Sequence, residues 1–290
     1  MAVAIVFFIG AGAYAIRDFP SDAIRHARWW LLAMVCIAGP LATVALNGAE
    51  YIAQARIVGV QVAFLEGVRV SIVATAANML PIPGSALVRT QALATSGSGY
   101  KKATATTFTV GAAWMGSTAT LAAILGLATG TIAAGAAVGA IGVAFLGVSY
   151  VLLHRAQPPT GIGDMFGRIL AIESGAAIVG ALRFFGILYA LGIDISAPQA
   201  MALALASVIA SASGIFPAGI GIREALAGAI GAIVGLPAAS GVAAAATDRV
   251  AGLFVLAALT GLLMWHNRAA AKPTPTTPPT PTPTTTTTGP

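Results

Sequence analysis

Charge is what this sequence lacks. Only 8% of its 290 residues are Asp, Glu, Lys or Arg, against roughly a quarter in an ordinary soluble domain. Cysteine is nearly absent as well: the single Cys36, set in an apolar run, excludes an internal disulfide and any multi-cysteine metal or redox motif. The three histidines, His26, His154 and His266, lie in loops or at span ends far apart in sequence, so no metal cluster is expected from them. No nucleophile–base pair stands out, and Gly219-Ile220-Gly221 lacks the strand–helix context and later acidic residue of a dinucleotide fingerprint. The chain therefore reads as a non-enzyme without cofactor or metal. Its net charge of +6 has no soluble basic domain to carry it. The surplus is expected to set topology and meet anionic lipid rather than nucleic acid.

What is present is apolar length. Hydrophobic residues make up 58% of the chain, and the mean hydropathy is +0.89. A folded core cannot hide that much apolar surface, because a large share of residues must face outward. Lipid must be the solvent for most of the chain. The runs far exceed ~10 residues and do not alternate, which argues against a β-barrel. Six spans are expected, at about 3–16, 29–49, 103–128, 132–153, 166–192 and 240–265. Ala13-Tyr14-Ala15 resembles a signal-peptidase site, but no positive stretch precedes it, so 3–16 is read as a first span. Trp29-Trp30 marks an interface. The membrane domain is expected over 1–266. The Thr/Pro-rich tail 267–290 has no large apolar side chains beyond its start and is expected to be disordered.

Two segments, about 59–96 and 197–236, behave differently. The first carries Asn78-Met79-Leu80-Pro81-Ile82-Pro83-Gly84 between two short apolar arms, and the second carries Gly214-Ile215-Phe216-Pro217-Ala218-Gly219-Ile220-Gly221. Two prolines within three residues cannot lie in a continuous helix. Each segment is predicted to be a broken, re-entrant hairpin, tolerable at membrane depth only inside protein or beside a wet cavity. Three spans separate them, so the hairpins should enter from opposite faces, the arrangement of inverted-repeat transporters. Basic residues divide seven (Arg56, Lys101, Lys102, Arg155, Arg168, Arg268, Lys272) against three (Arg17, Arg25, Arg28). That asymmetry places both termini in the cytoplasm of a multi-pass plasma-membrane protein, a bacterial inner membrane being the expected one.

Charges inside apolar segments cost ~2.5–3.5 kcal/mol each even on lenient scales, yet Glu66, Arg69, Arg89, Glu173, Arg183, Arg223, Glu224, Asp248 and Arg249 all occur there. Glu66 and Arg69 have the spacing to pair on one helix. Arg223-Glu224 and Asp248-Arg249 are adjacent residues that cannot face each other on their own helices, so cross-pairing between elements is expected. Arg89 and Arg223 each follow a Gly-containing break near a helix N-terminus, where the dipole and free N–H groups favour an anion and a guanidinium adds a phosphate-matching fork. Glu224 is a candidate to neutralise Arg223 when the site is empty. The remaining arginines and acids could equally be ion-pair staples.

The stretch Phe216-Pro217-Ala218-Gly219-Ile220-Gly221-Ile222-Arg223-Glu224-Ala225 resembles the signature of the flippase-like integral membrane family, also called the lysylphosphatidylglycerol synthase transmembrane region. Asn78 to Gly84 followed by Arg89 is similar to that family's other motif, with Ser85 where many members carry Glu and Ala218 where Gly is usual. The resemblance covers roughly 29–265. It implies translocation of an anionic phospholipid or lipid-linked headgroup, without aminoacyl transfer. The site it implies comprises Asn78, Pro81, Pro83, Gly84, Arg89, Pro217, Gly219, Gly221, Arg223 and Glu224. Arg89 and Arg223 would grip a phosphate from opposite sides, and Gly84, Gly219 and Gly221 would let it approach the backbone. Two alternatives stay open: an ion-coupled small-solute transporter, and a non-transporting partner subunit of an envelope glycosyltransferase or synthase. A homodimer or a separate synthase as protein partner is left open too.

Overall fold

The structure, a computed structural model, describes residues 17, 25–78, 84–212 and 221–270. The expected span 3–16, the tail beyond Ala270, and Pro81, Pro83, Pro217 and Gly219 lie outside the described residues. The protein is an all-α polytopic membrane protein. Its helices are α1 (Trp29–Ile57), α2 (Phe64–Ala77), α3 (Gly84–Leu93), α4 (Tyr100–Ala128), α5 (Ile132–Ala156), α6 (Ile162–Ala190), α7 (Ala197–Ala212), α8 (Ile222–Ile233) and α9 (Ala238–Ala270). A wide π-type turn, Ala94–Ser98, joins α3 to α4. Among the described residues five helices, α1, α4, α5, α6 and α9, are long and apolar enough to cross a membrane. Their outer faces carry exposed Trp29, Trp30, Phe108, Ile132, Phe254 and Trp265, as lipid contact requires.

The four remaining helices form two packed pairs, α2 with α3 and α7 with α8. They occupy the two segments where proline and glycine forbid a continuous helix. The helix order also repeats. From Trp29 to Ile162, the starts of α1 and α6, is 133 positions (162 less 29), and both helices are 29 residues long. The starts of α2 and α7 keep the same offset, and α3/α8 and α4/α9 follow a few residues further out. Packing repeats with it: α1 against α2 matches α6 against α7, α3 against α4 matches α8 against α9, and α4 against α7 matches α9 against α2. Only α5 has no counterpart among these helices; it packs chiefly on α4, where Gly116 lies against Leu146 and Gly142 against Thr120.

The turns that end α1 and α6 are the same motif. In one, Gly59 N–H donates to the Arg56 carbonyl and Val60 N–H to the Ala55 carbonyl. In the other, Gly192 donates to Tyr189 and Ile193 to Leu188. Gly59 at φ 81° and Gly192 at φ 75° supply the left-handed residue that this helix ending needs. The two long helices meet antiparallel. Arg28 N–H donates to the Ala190 carbonyl at 2.7 Å, and Ala53 and Ile57 share a core with Met165 and Ile169. α1 continues well past the expected end near residue 49, which brings Glu50 and Gln54 inside the bundle.

Candidate functional site

All the intramembrane charges singled out in the sequence except Glu66 and Arg69 gather into two clusters on the α1–α6 seam. In the first, Asp248 on α9 is 2% exposed and takes an arginine on each carboxylate oxygen. Arg183 of α6 reaches Oδ1 at 2.5 Å, and Arg223 of α8 pairs with Oδ2. Arg183 also donates to the Thr43 hydroxyl of α1 at 3.0 Å. Arg223 donates through Nε to the Ser207 hydroxyl of α7 at 3.0 Å, and its guanidinium lies 5.9 Å from the centroid of the Phe184 ring. Beside them Arg249 meets Glu224 at 2.7 Å, and Glu224 accepts the Gly221 N–H at 2.9 Å. The Arg223-Glu224 and Asp248-Arg249 dipeptides thus cross, each charge finding its opposite on the other helix. The neutraliser of Arg223 is Asp248, not Glu224 as expected, because consecutive side chains on α8 point apart and Glu224 turns to Arg249 and its own helix start.

The second cluster centres on Arg89 of α3, 7% exposed. It pairs with Glu50 of α1, whose Oε1 also accepts from Gln54 at 3.2 Å. Glu173 of α6 faces the same place: its charged neighbours are Glu50 and Arg89. The hairpin is closed locally. Asn78 Oδ1 accepts the Ser85 N–H at 2.7 Å across the break and so caps α3. Gly84 has no room for a side chain, since a Cβ there would run into the Ala77 carbonyl. Its smallness serves contact between the two arms rather than approach by a ligand.

The structure does not bring Arg89 and Arg223 to one point. Thr43, level with Arg183, and Glu50, level with Arg89, are separated by about 10 Å along α1 at 1.5 Å per residue. Each arginine sits in its own cluster. Glu66 and Arg69 do not pair among the described residues: Glu66 is exposed, and the Arg69 Nε is buried without a hydrogen-bond acceptor. Helical spacing permits that pair without enforcing it.

Sequence reasoning missed Glu50, Thr43 and Ser207. Glu50 was readable in principle, because Glu50 and Gln54 fall four apart inside the run Ala49 to Ile57 and mark one polar stripe on an otherwise apolar helix.

Among the described residues the first cluster carries three guanidiniums, Arg183, Arg223 and Arg249, against two carboxylates, Asp248 and Glu224. Beside it a groove of about 440 Å³ opens between α1 and α9, lined by Cys36, Ala246, Thr247, Val250, Ala251 and Phe254. Asp248 and Arg183 are the charges nearest Cys36 in its wall. Among the described residues no group of three or more His, Cys, Asp or Glu could hold a metal ion. Comparison with protein-family models, with curated proteins and with solved structures finds no match for this chain.

Proposed function

We propose that the chain translocates a membrane lipid or lipid-linked molecule with an anionic phosphate headgroup, and that the Arg183–Arg223–Asp248 cluster receives the anion. The observation that carries this reading is the excess of guanidinium over carboxylate in a buried cluster. Placing charge away from water costs several kcal/mol unless it is compensated. A cluster one positive charge in surplus is completed by an anion, and arginine forks match phosphate oxygens.

The repeated helix order supports a carrier architecture. With α1 and α6 antiparallel and α4, α5 and α6 lying between the two helix pairs, the pairs enter as re-entrant hairpins from opposite faces. The groove between α1 and α9 favours a lipid over a small solute, because it is apolar and open to the side at the level of the cluster. Acyl or prenyl chains would stay in it while the headgroup crosses inside, and rocking of the two repeats would alternate access. The resemblance of the sequence Phe216 to Ala225 to the flippase-like family agrees with this. A plasma-membrane location with cytoplasmic termini belongs to the same reading.

The test is reconstitution in vesicles carrying fluorescent phosphatidylglycerol, with accessibility of the dye to an external quencher recorded over time. Wild-type protein accelerates exchange between leaflets, and Arg223→Ala and Arg183→Ala return it to the rate of empty vesicles. Equal rates in wild type and both variants remove the site. Flux of a soluble anion without lipid exchange replaces the lipid with a solute.

A further inference from the structure

Glu173 is 2% exposed, and its Oε1 has no hydrogen-bond partner within the described structure. Among the described residues the cation beside it is Arg89, which pairs through Nη1 with Glu50. The other helices packed on α6 bring no relief. α4 has no ionisable side chain from Ala103 to Ala128, and α7 has none at all. On α9, Asp248 is committed to Arg183 and Arg223, and Arg249 to Glu224. On α5, Tyr150, His154 and Arg155 lie toward the Phe166 end of α6. On α1, Tyr51 is buried and makes no hydrogen bond to the Glu173 Oε1. Two carboxyl groups therefore share one guanidinium in a largely buried site, with 14% of the Glu50 side chain left exposed, and a buried carboxyl that accepts no hydrogen bond favours the neutral acid.

We infer that Glu173 and Glu50 form a proton-binding site linked to the occupancy of Arg89, so that an anion passing Arg89 is accompanied by a proton. This rests on the carrier reading above. At rest Glu173 holds a proton and Glu50 is the counter-ion of Arg89. When a phosphate oxygen takes the Arg89 guanidinium, the Glu50 carboxylate is released beside a second carboxyl and binds one proton from water. The O–H bond formed on Glu50 replaces one broken in a hydronium ion or buffer acid, and the added negative charge is cancelled. Departure of the anion reverses the step.

Two measurements on the purified full chain test it. Infrared spectroscopy at neutral pH should show the C=O stretch of a protonated carboxyl that is lost in Glu173→Gln, an isosteric change that mimics the neutral acid. An ionised Glu173 at neutral pH overturns the inference without reference to any ligand. Titration calorimetry with dihexanoyl phosphatidylglycerol, and separately with inorganic phosphate, in two buffers of different ionisation enthalpy counts protons exchanged on binding. Wild type should take up about one proton per probe bound, and Glu50→Gln should bind with none. Binding of either probe without proton uptake in wild type overturns the linkage. Uptake with the phospholipid alone identifies a lipid headgroup as the source of the anion, and uptake with phosphate alone identifies the free ion. Failure of both probes to bind overturns the carrier reading and the linkage together, while the infrared band still decides whether Glu173 holds a resident proton.

Discussion

Removing the Asp248 carboxylate is the sharpest perturbation of the charge network. Asp248→Asn keeps the volume and one acceptor oxygen but deletes the counter-ion that Arg183 and Arg223 share. The side chain of Asp248 is 3% exposed and those of the two arginines 14% and 20%, so water cannot substitute for it. The cluster would pass from one to two positive charges in surplus, with two guanidiniums left against each other. Breaking a buried pair by removing one partner costs about 3–5 kcal/mol, a fall of roughly two to three and a half decades in the folded-to-unfolded ratio. An internal control is at hand. Arg168 and Asp164 pair at 2.9 Å one helical turn apart with both side chains about half exposed, and such pairs contribute only about 0.3–0.5 kcal/mol. Titration with SDS in mixed micelles, followed by the fluorescence of the four tryptophans, reports both losses. Adding Arg183→Gln to Asp248→Asn restores the original surplus and should recover a good part of the stability. If Asp248→Asn loses no more than Asp164→Asn, the cluster is hydrated, and the argument that its surplus charge calls for an anion fails with it.

The same titration checks the hairpin and the repeated turns. Asn78→Ala removes the acceptor for the Ser85 N–H and should cost about 1 kcal/mol. Gly192→Ala adds a Cβ that meets nothing within 4 Å, so its cost is confined to holding φ 75° with a side chain, about 1 kcal/mol. Gly84→Ala should be worse than Gly192→Ala, because its Cβ has the Ala77 backbone in its way.

How far these features were legible depended on whether the signal was local. The bodies of α4 and α5 were readable because their apolar runs are long and uninterrupted, and the shortness of α2, α3, α7 and α8 because proline and glycine act on their own peptide units. The end of α1 was not. Glu50, Gln54 and Arg56 look like the onset of a headgroup region, and only the packing of α6 and α3 turns Glu50 inward. The crossing of Arg223-Glu224 with Asp248-Arg249 followed from helix geometry, since neighbours on one helix cannot pair. That Arg183 would join Asp248, and that Arg89 would reach back 39 residues to Glu50, depends on tertiary packing that spacing does not encode.

The repeat makes the distribution of charge informative. At the offset that relates α1 to α6, Glu50 corresponds to Arg183. Because the two helices run antiparallel, equivalent positions fall on opposite sides of the level where the helices cross, so the two clusters lie one on each side of it. The scaffold repeats, but the charge at this position is reversed. One cluster gathers three guanidiniums on two carboxylates; the other gathers two carboxyls on one guanidinium. A carrier with identical half-sites would hold an anion equally from either face. In the proposed carrier the reversed sign would let the cluster at Asp248 attract an anion and the one at Glu50 accept it only with a proton. In the proposed carrier, direction is therefore set by the side on which protons are more abundant. On that proposal, the same exchange of charge that removes the symmetry of the two halves would couple them, since the anion gained at one would be neutralised by a proton at the other.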